Sequence, residues 1–266
     1  MAGGVRGLSQ GKIRDEFVEY LRSHFAQYTI TEIHPESLRI DRPGLGDHQL
    51  FLRSLFAAIE EFEGESDLEQ RREVFAKFAE SLSSGEKLLS MTSDDRLQNV
   101  MPRLMHRLQI EGMEKQVKIG IPNIPIENTP LCVAFVIDMP QSVAFVNHEI
   151  LKELEVDIDE LYIAAVEHLD DEKFGGVIRS LELDTLGAIK TGDSYDAARA
   201  LLIPKYLSKG ESLVIAVPDR DSLMLLRSHS QERFDLMSRV AKFPGGDRLL
   251  YDQAIEVTAN GFRACD

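Results

Sequence analysis

Three prolines fall within ten residues at positions 121–130, IPNIPIENTP, and seven uninterrupted apolar residues, LCVAFVI, follow at 131–137. Proline fixes φ and removes a backbone donor, so the first segment reads as a linker or an extended crossing segment and not as a helix. The apolar run is the longest in the chain. It is of strand length, far short of the roughly 18 residues a membrane helix needs. These two features divide the chain into a mainly helical region with a small hairpin at 1–120, the proline-rich segment at 121–130, and a mixed region at 131–266. The fold class expected is α+β: a mainly helical N-terminal region followed by a small sheet covered by helices.

Over 12–27 the apolar residues Ile13, Phe17, Tyr20, Leu21 and Phe25 recur at three and four, which describes one face of an amphipathic helix. Residues 28–33 and 37–40 are short, partly alternating runs, as in a hairpin, and RPGLGD at 42–47 turns the chain. Phe51, Leu55, Ile59 and Phe62 mark a second helix ending near Gly64. Ser66 or Asp67 can cap a third, carrying Val74, Phe75, Phe78 and Leu82 and stopping near Gly85. Phenylalanines at this spacing are what a buried helix face requires, so they are assigned to the core and not to a ligand box. The state of 94–107 stays open, because Pro102 suits the first turn of a helix but would break a continuing one.

The second region opens with strands at 131–137 and 142–146 at hairpin spacing, then a short helix at 148–154. Asp157 or Asp159 starts a clearer helix with the stripe Ile158, Leu161, Ala165 and Leu169. Acidic residues in a first turn complement the helix dipole, so this Asp-Ile-Asp triplet is read as capping and not as metal binding. A polar turn at 170–176, strands at 178–183, 186–189 and 213–217, a helix from Asp219 and a helix with Phe234, Met237, Val240 and Ala241 follow. Pro-Gly-Gly within 243–247 ends the last helix, and 254–258 is a final strand before a turn at Asn260 and Gly261.

Forty-five acidic against 30 basic residues give a net charge of -15. Nucleic-acid affinity rests on Lys and Arg neutralising phosphates, so this balance argues against a nucleic-acid partner. The cluster Arg96, Arg103, His106 and Arg107 is read as a solvated helix face. The absence of Trp leaves little for base stacking. The N-terminal MAGGVRGLSQ lacks the apolar stretch of a signal peptide, and no membrane span is expected. Cys132 and Cys265 sit in contexts too different for a disulfide and are read as free thiols of a reducing cytoplasm.

The densest chemical signals are GDSYDAARALL at 192–202 and LVIAVPDRDSLMLLR at 213–227. Each places an Asp, Asp193 or Asp219, where a strand would hand over to a helix. Ser194 fails as a nucleophile. A nucleophile elbow needs Gly two places after the serine, and Asp196 stands there. None of the histidines has an Asp three places before it, as the GDS hydrolases require, so Ser194 has no general base. No histidine pair has ligand spacing, the triplet Asp219-Arg220-Asp221 has little specificity in so acidic a chain, and no metal or cofactor is assigned. As structural elements, Asp193 and Asp219 would be N-caps with Asp196 and Ser222 at N3. Arg199 would then pair with Asp196 or reach Asp219. If the two strands are neighbours running the same way, both carboxylates and both helix starts converge at one edge. The candidate ligand site is accordingly Asp193, Asp196, Arg199, Asp219, Arg220 and Asp221, with catalytic residues unassigned.

MPQSVAFVNHEILKELEVDIDELYIAAVEHL at 139–169, GDSYDAARALL at 192–202 and VIAVPDRDSLMLL at 214–226 together resemble the YtpQ-like family of bacterial proteins. The resemblance is best over 131–227. The family favours Gly where this chain has Ser194, and Pro-Asn-Arg-Asp where it has Pro218, Asp219, Arg220 and Asp221; both departures count against a catalytic task for Ser194 or Asp219. The resemblance implies a soluble bacterial cytoplasmic protein of α+β type and brings no assigned activity, cofactor or catalytic residue. The first functional expectation is therefore a non-enzymatic module that binds another protein. The alternative is an enzyme, or a small-ligand or metal binder, using the acidic corner.

Overall fold

The computed structural model describes residues 10–42, 46–60, 68–117, 119–139, 142–169, 172–227, 230–243 and 249–264. The expected turn at 42–47, the end of the second helix near Gly64, its Phe62, the caps Ser66 and Asp67 and the break at 243–247 fall wholly or partly outside these. The fold is α+β, with helices and antiparallel sheets in two compact units that part between Ser90 and Met91, a short stretch ending at Ser142 excepted.

In the first unit, α1 (Gln10–His24) precedes the meander β1 (Thr29–His34), β2 (Ser37–Arg42) and β3 (Gly46–Phe51), followed by α2 (Arg53–Glu60) and α3 (Leu68–Ser90). The helical stripe of α1 is buried at Ile13, Phe17 and Leu21, against Leu38 and Ile40 of β2 and Phe75 and Leu82 of α3. Phe17 meets the ring of Phe75 at 5.3 Å and that of Phe78 at 5.9 Å, so these phenylalanines are core residues. Arg71, itself buried, is paired with Glu16 at 3.1 Å and ties α3 to α1. Two expectations are corrected. Phe51 ends a third strand and does not start a helix. Helix α3 runs on through Gly85, since one interior glycine costs only about 1 kcal/mol, which a helix anchored in the core by Phe75, Ala79 and Leu82 tolerates.

The second unit begins with α4 (Ser93–Gln98), β4 (Val100–His106) and α5 (Arg107–Val117), which resolves the region left open. Pro102 lies in β4 at the edge of its sheet, where the missing N–H is tolerated. Next come β5 (Asn123–Pro125), β6 (Leu131–Met139) and β7 (Ser142–Phe145), with β6 pairing β4, β5 and β7. The seven apolar residues of β6 are all buried, as a strand covered on both faces requires. The proline-rich segment is thus an extended crossing inside this unit that supplies β5.

Helices α6 (His148–Glu153), α7 (Ile158–Glu167) and α8 (Glu172–Ser180) follow. The polar turn expected at 170–176, whose first two positions lie outside the described residues, and the strand expected at 178–183 give way to α8 over Glu172–Ser180, whose Phe174 and Ile178 face inward at helical spacing; Leu183 keeps only an isolated bridge to Arg227. Gly175 permits this packing, because a Cβ there would lie 2.5 Å from the ring of Tyr206. The chain then forms β8 (Leu186–Ile189), a 3-10 helix at Ala197–Leu202, α9 (Ile203–Tyr206), β9 (Ser212–Ala216), β10 (Leu223–Leu226), α10 (Gln231–Val240), β11 (Ile255–Thr258) and β12 (Gly261–Ala264). The antiparallel sheet has the order β12-β11-β9-β10-β8. Helix α10 covers one face through Met237 and Ala241, which pack on Val214, Ala216 and Leu226. The helix expected from Asp219 is corrected to β10. An apolar run buried on both faces has no period that separates strand from helix.

At α7 the capping expectation for Asp157 is met. Its Oδ1 accepts the N–H groups of Asp159 at 2.9 Å and Glu160 at 2.8 Å, and Glu160 accepts the Asp157 N–H at 3.0 Å. Replacing Asp157 by Ala should cost about 1 kcal/mol in urea unfolding, whereas Asp157→Asn, which can still cap, should cost distinctly less.

Candidate functional site

Strands β8 and β9 flank β10, and each is antiparallel to it. They therefore run the same way, one strand apart, and both release the chain at one edge of the sheet. This brings the two Asp-bearing corners together without making their strands neighbours.

After β8 the chain reverses through Gly192 at φ 84° and Ser194 at φ 69°. Both lie in the left-handed region that glycine occupies without penalty, so the serine carries a steric cost there. Asp193 accepts the Tyr195 N–H at 3.0 Å, an Asx turn. Asp196 has 0% exposure. Its two oxygens each lie 3.0 Å from the Thr191 N–H donor, and one also accepts the Thr191 hydroxyl at 2.9 Å and Arg199 Nη1 at 3.2 Å. Arg199, also buried, uses the same Nη1 on Asp193 at 2.9 Å and Nη2 on the other Asp193 oxygen. These hydrogen bonds hold the Asp193 carboxyl below the usual 3.8, at about 2, with the bond from Arg199 the largest cause.

The second corner joins β9 to β10. Asp219 is buried and accepts the Asp221 N–H at 2.9 Å, a second Asx turn. Arg220 turns outward, its Nε on Asp221 Oδ2 at 3.1 Å, while its carbonyl accepts the Ala197 N–H at 3.1 Å and joins the two corners. All six expected residues thus lie at one place, but with different duties. The pair Arg199 and Asp196 is as expected. Asp193 and Asp219 close turns instead of capping α-helices, and Asp196 stands at the start of the 3-10 helix without a side-chain capping bond. The same carboxylate-to-N–H bond serves either motif, which is why residue type alone pointed to caps.

Arg103, Asp138, Phe145 and Tyr195 also belong to this corner, and the sequence reading missed that grouping. The phenol of Tyr195 is raised by burial and then by the charge and hydrogen bond of Asp138. Arg103 is lowered chiefly by burial and then by Arg220; its guanidinium lies 5.9 Å from the centre of the Phe145 ring. Nearby, Asp221 Oδ1 is buried with no hydrogen-bond partner among the described residues. No local signal could have united residues from four separate elements. The basic cluster is likewise redistributed: Arg96 is buried and paired with Glu153, Arg103 is in a strand, and Arg107 donates to the Thr129 carbonyl at 2.9 Å.

Chemically, Thr191, Asp193, Asp196 and Arg199 form one ion lattice in the corner, and Asp221 Oδ1 stands outside it. Among the described residues no histidine is hydrogen-bonded to Ser194, and no group of His, Cys, Asp or Glu is arranged to hold a metal ion. A separate cleft of about 470 Å³ is lined by His106, Pro130 and residues 249–253. Cys132 is buried and its thiol pushed up to about 11 by burial, which leaves it a packing residue. No helix of the described residues is long and apolar enough to cross a membrane. No family model, curated protein or solved structure matches the chain.

Because the Asp193 carboxyl is depressed in the fold, its contribution to stability is complete above about pH 4 and disappears as the pH falls toward 2. Asp193→Asn should therefore flatten that part of the acid-unfolding curve. Arg199→Ala strands the carboxylate of Asp196 and should cost about 3–5 kcal/mol in urea unfolding. Asp193→Asn should cost much less, since the Asp193 side chain keeps 41% of its exposure.

Proposed function

We propose that this chain is a non-enzymatic protein-binding module of the bacterial cytoplasm, and that it binds through the open edge of its five-stranded sheet. The observation that carries this reading is β8. It ends the strand order, and among the described residues it pairs only with β10. Leu186 is 47% exposed, Ala188 is exposed beside it, and Leu183, 61% exposed, precedes the strand. An edge strand offers unpaired N–H and C=O groups to an extended partner, and exposed apolar side chains add affinity. Two of the carboxylates that a catalytic reading would recruit, Asp193 and Asp196, are already engaged by Arg199. The resemblance of 131–227 to the YtpQ-like family supports the bacterial and cytoplasmic setting and adds no activity.

A second reading, a small-ligand site, is favoured by one observation: Asp221 Oδ1 is buried without a partner near the half-buried Arg103. A ligand there would bridge an acceptor and a guanidinium.

Capture experiments with wild-type and Leu186→Lys chains as bait discriminate the two. A lysine at this exposed position should change stability by no more than about 0.5 kcal/mol. The expected result is a protein, the chain itself included, held by the wild type and lost on the variant. If nothing is retained while a metabolite or Mg²⁺ raises the melting temperature, the small-ligand reading replaces the first.

A further inference from the structure

We infer that the partner at the β8 edge is a second copy of this chain, paired antiparallel about a two-fold axis at Gly187 so that two five-stranded sheets become one of ten strands. This rests on the reading of β8 as the contact edge. Side chains alternate between the faces of a sheet, and residues opposite each other in a ladder share a face. The pairing of β8 with β10 sets Leu186 beside Leu226 and Ala188 beside Met224. Leu226 and Met224 belong to the cluster under α10, so Leu186 and Ala188 continue that covered face out to the open edge. Gly187 and Ile189 face the other way.

A symmetric pair of β8 strands must therefore place its axis on a residue, not between two. An axis on Leu186 would set Leu against Leu, and one on Ala188 would set Leu186 against Lys190. An axis on Gly187 sets each Leu186 against the other copy's Ala188, large beside small, twice. It also leaves glycine facing glycine at the centre. The charges agree with this choice. The N-terminal flank of the strand carries exposed Glu182 and Asp184, and the C-terminal flank carries exposed Lys190. Asp193, further on, is held by Arg199. Antiparallel pairing lays each acidic flank against the other copy's lysine. An edge lysine normally discourages pairing; here the same sequence supplies its complement.

Sedimentation equilibrium on the full chain tests the inference, in about 0.15 M salt, where repulsion between copies of charge -15 is screened beyond about 8 Å. So short an edge should give a weak dimer, with a dissociation constant on the order of 1–100 μM. The wild type should dimerise with rising concentration, while Leu186→Lys, and the milder Leu186→Ser with unchanged circular dichroism, should shift toward monomer. In a Cys265→Ser background, mixed Leu186→Cys and Ala188→Cys chains should form an interchain disulfide. Leu186→Cys alone should not, because diagonal neighbours in a ladder are about 7–8 Å apart. A wild type that stays monomeric to about 200 μM, a dimer indifferent to both substitutions, or cross-linking of Leu186→Cys with itself in preference to the mixture would each overturn the inference. A monomeric wild type whose captured partner is nevertheless lost on Leu186→Lys would overturn the self-pairing and leave the edge reading intact.

Discussion

The second unit depends on one carboxylate. Asp196 is wholly buried, and an ionised group in that position costs several kcal/mol unless it is matched by charge and hydrogen bonds. It is matched by the backbone and hydroxyl of Thr191 and by Arg199. Thr191 leaves β8, Asp196 opens the 3-10 helix, and Arg199 lies within that helix, so the pairing folds the strand exit back on the helix. The same helix packs against β4 of the other sheet, and its Ala197 N–H is received by the carbonyl of Arg220 in the β9–β10 turn. One polar knot thereby links both sheets of the unit.

Such a knot is a poor starting point for catalysis and a good one for fold specificity. Buried ion pairs add little net stability against an apolar core of the same shape, but removing one member is costly, because the other is left charged and dry. Arg199 bonds two carboxylates and a hydroxyl at once. A ligand or metal recruited by Asp193 or Asp196 would have to displace it. The part of the corner with unspent capacity lies elsewhere, at Asp221 Oδ1 and Arg103, outside the Asp193–Asp196–Arg199 lattice.

The elements most legible in the sequence were those that bury one face only. The stripes of α1, α7 and α10 show the 3.6-residue period, and the helices stand where it predicts them. The errors have definite physical causes. Strand β10 is apolar on both faces and so lost its period, and α8 contains a Gly-Gly pair that resembles a turn until Tyr206 is seen against Gly175. At the corner the residue types were informative and their geometry was not, because an Asx turn and an N-cap use the same bond. Tyr195, Arg103 and Asp138 were invisible as a group because the pairing of β4 with β6 and the seating of the 3-10 helix on β4 are long-range facts.

Ser194 shows how far the knot governs its surroundings. Its left-handed backbone costs about 1–2 kcal/mol for a residue with a Cβ, and the turn adopts it all the same, with Asp193 locked on one side and Asp196 on the other. The turn is thus set by the ion lattice and not by local preference. The consequence reaches the sheet edge. Thr191, held by Asp196, is two residues beyond Ile189, so the exit of β8 is fixed while its outer side stays unpaired among the described residues. An edge strand anchored in this way is presented in one conformation, and a partner that pairs with it loses less entropy than one that must first order it. The corner that first suggested an active site is then the anchor of an open sheet edge.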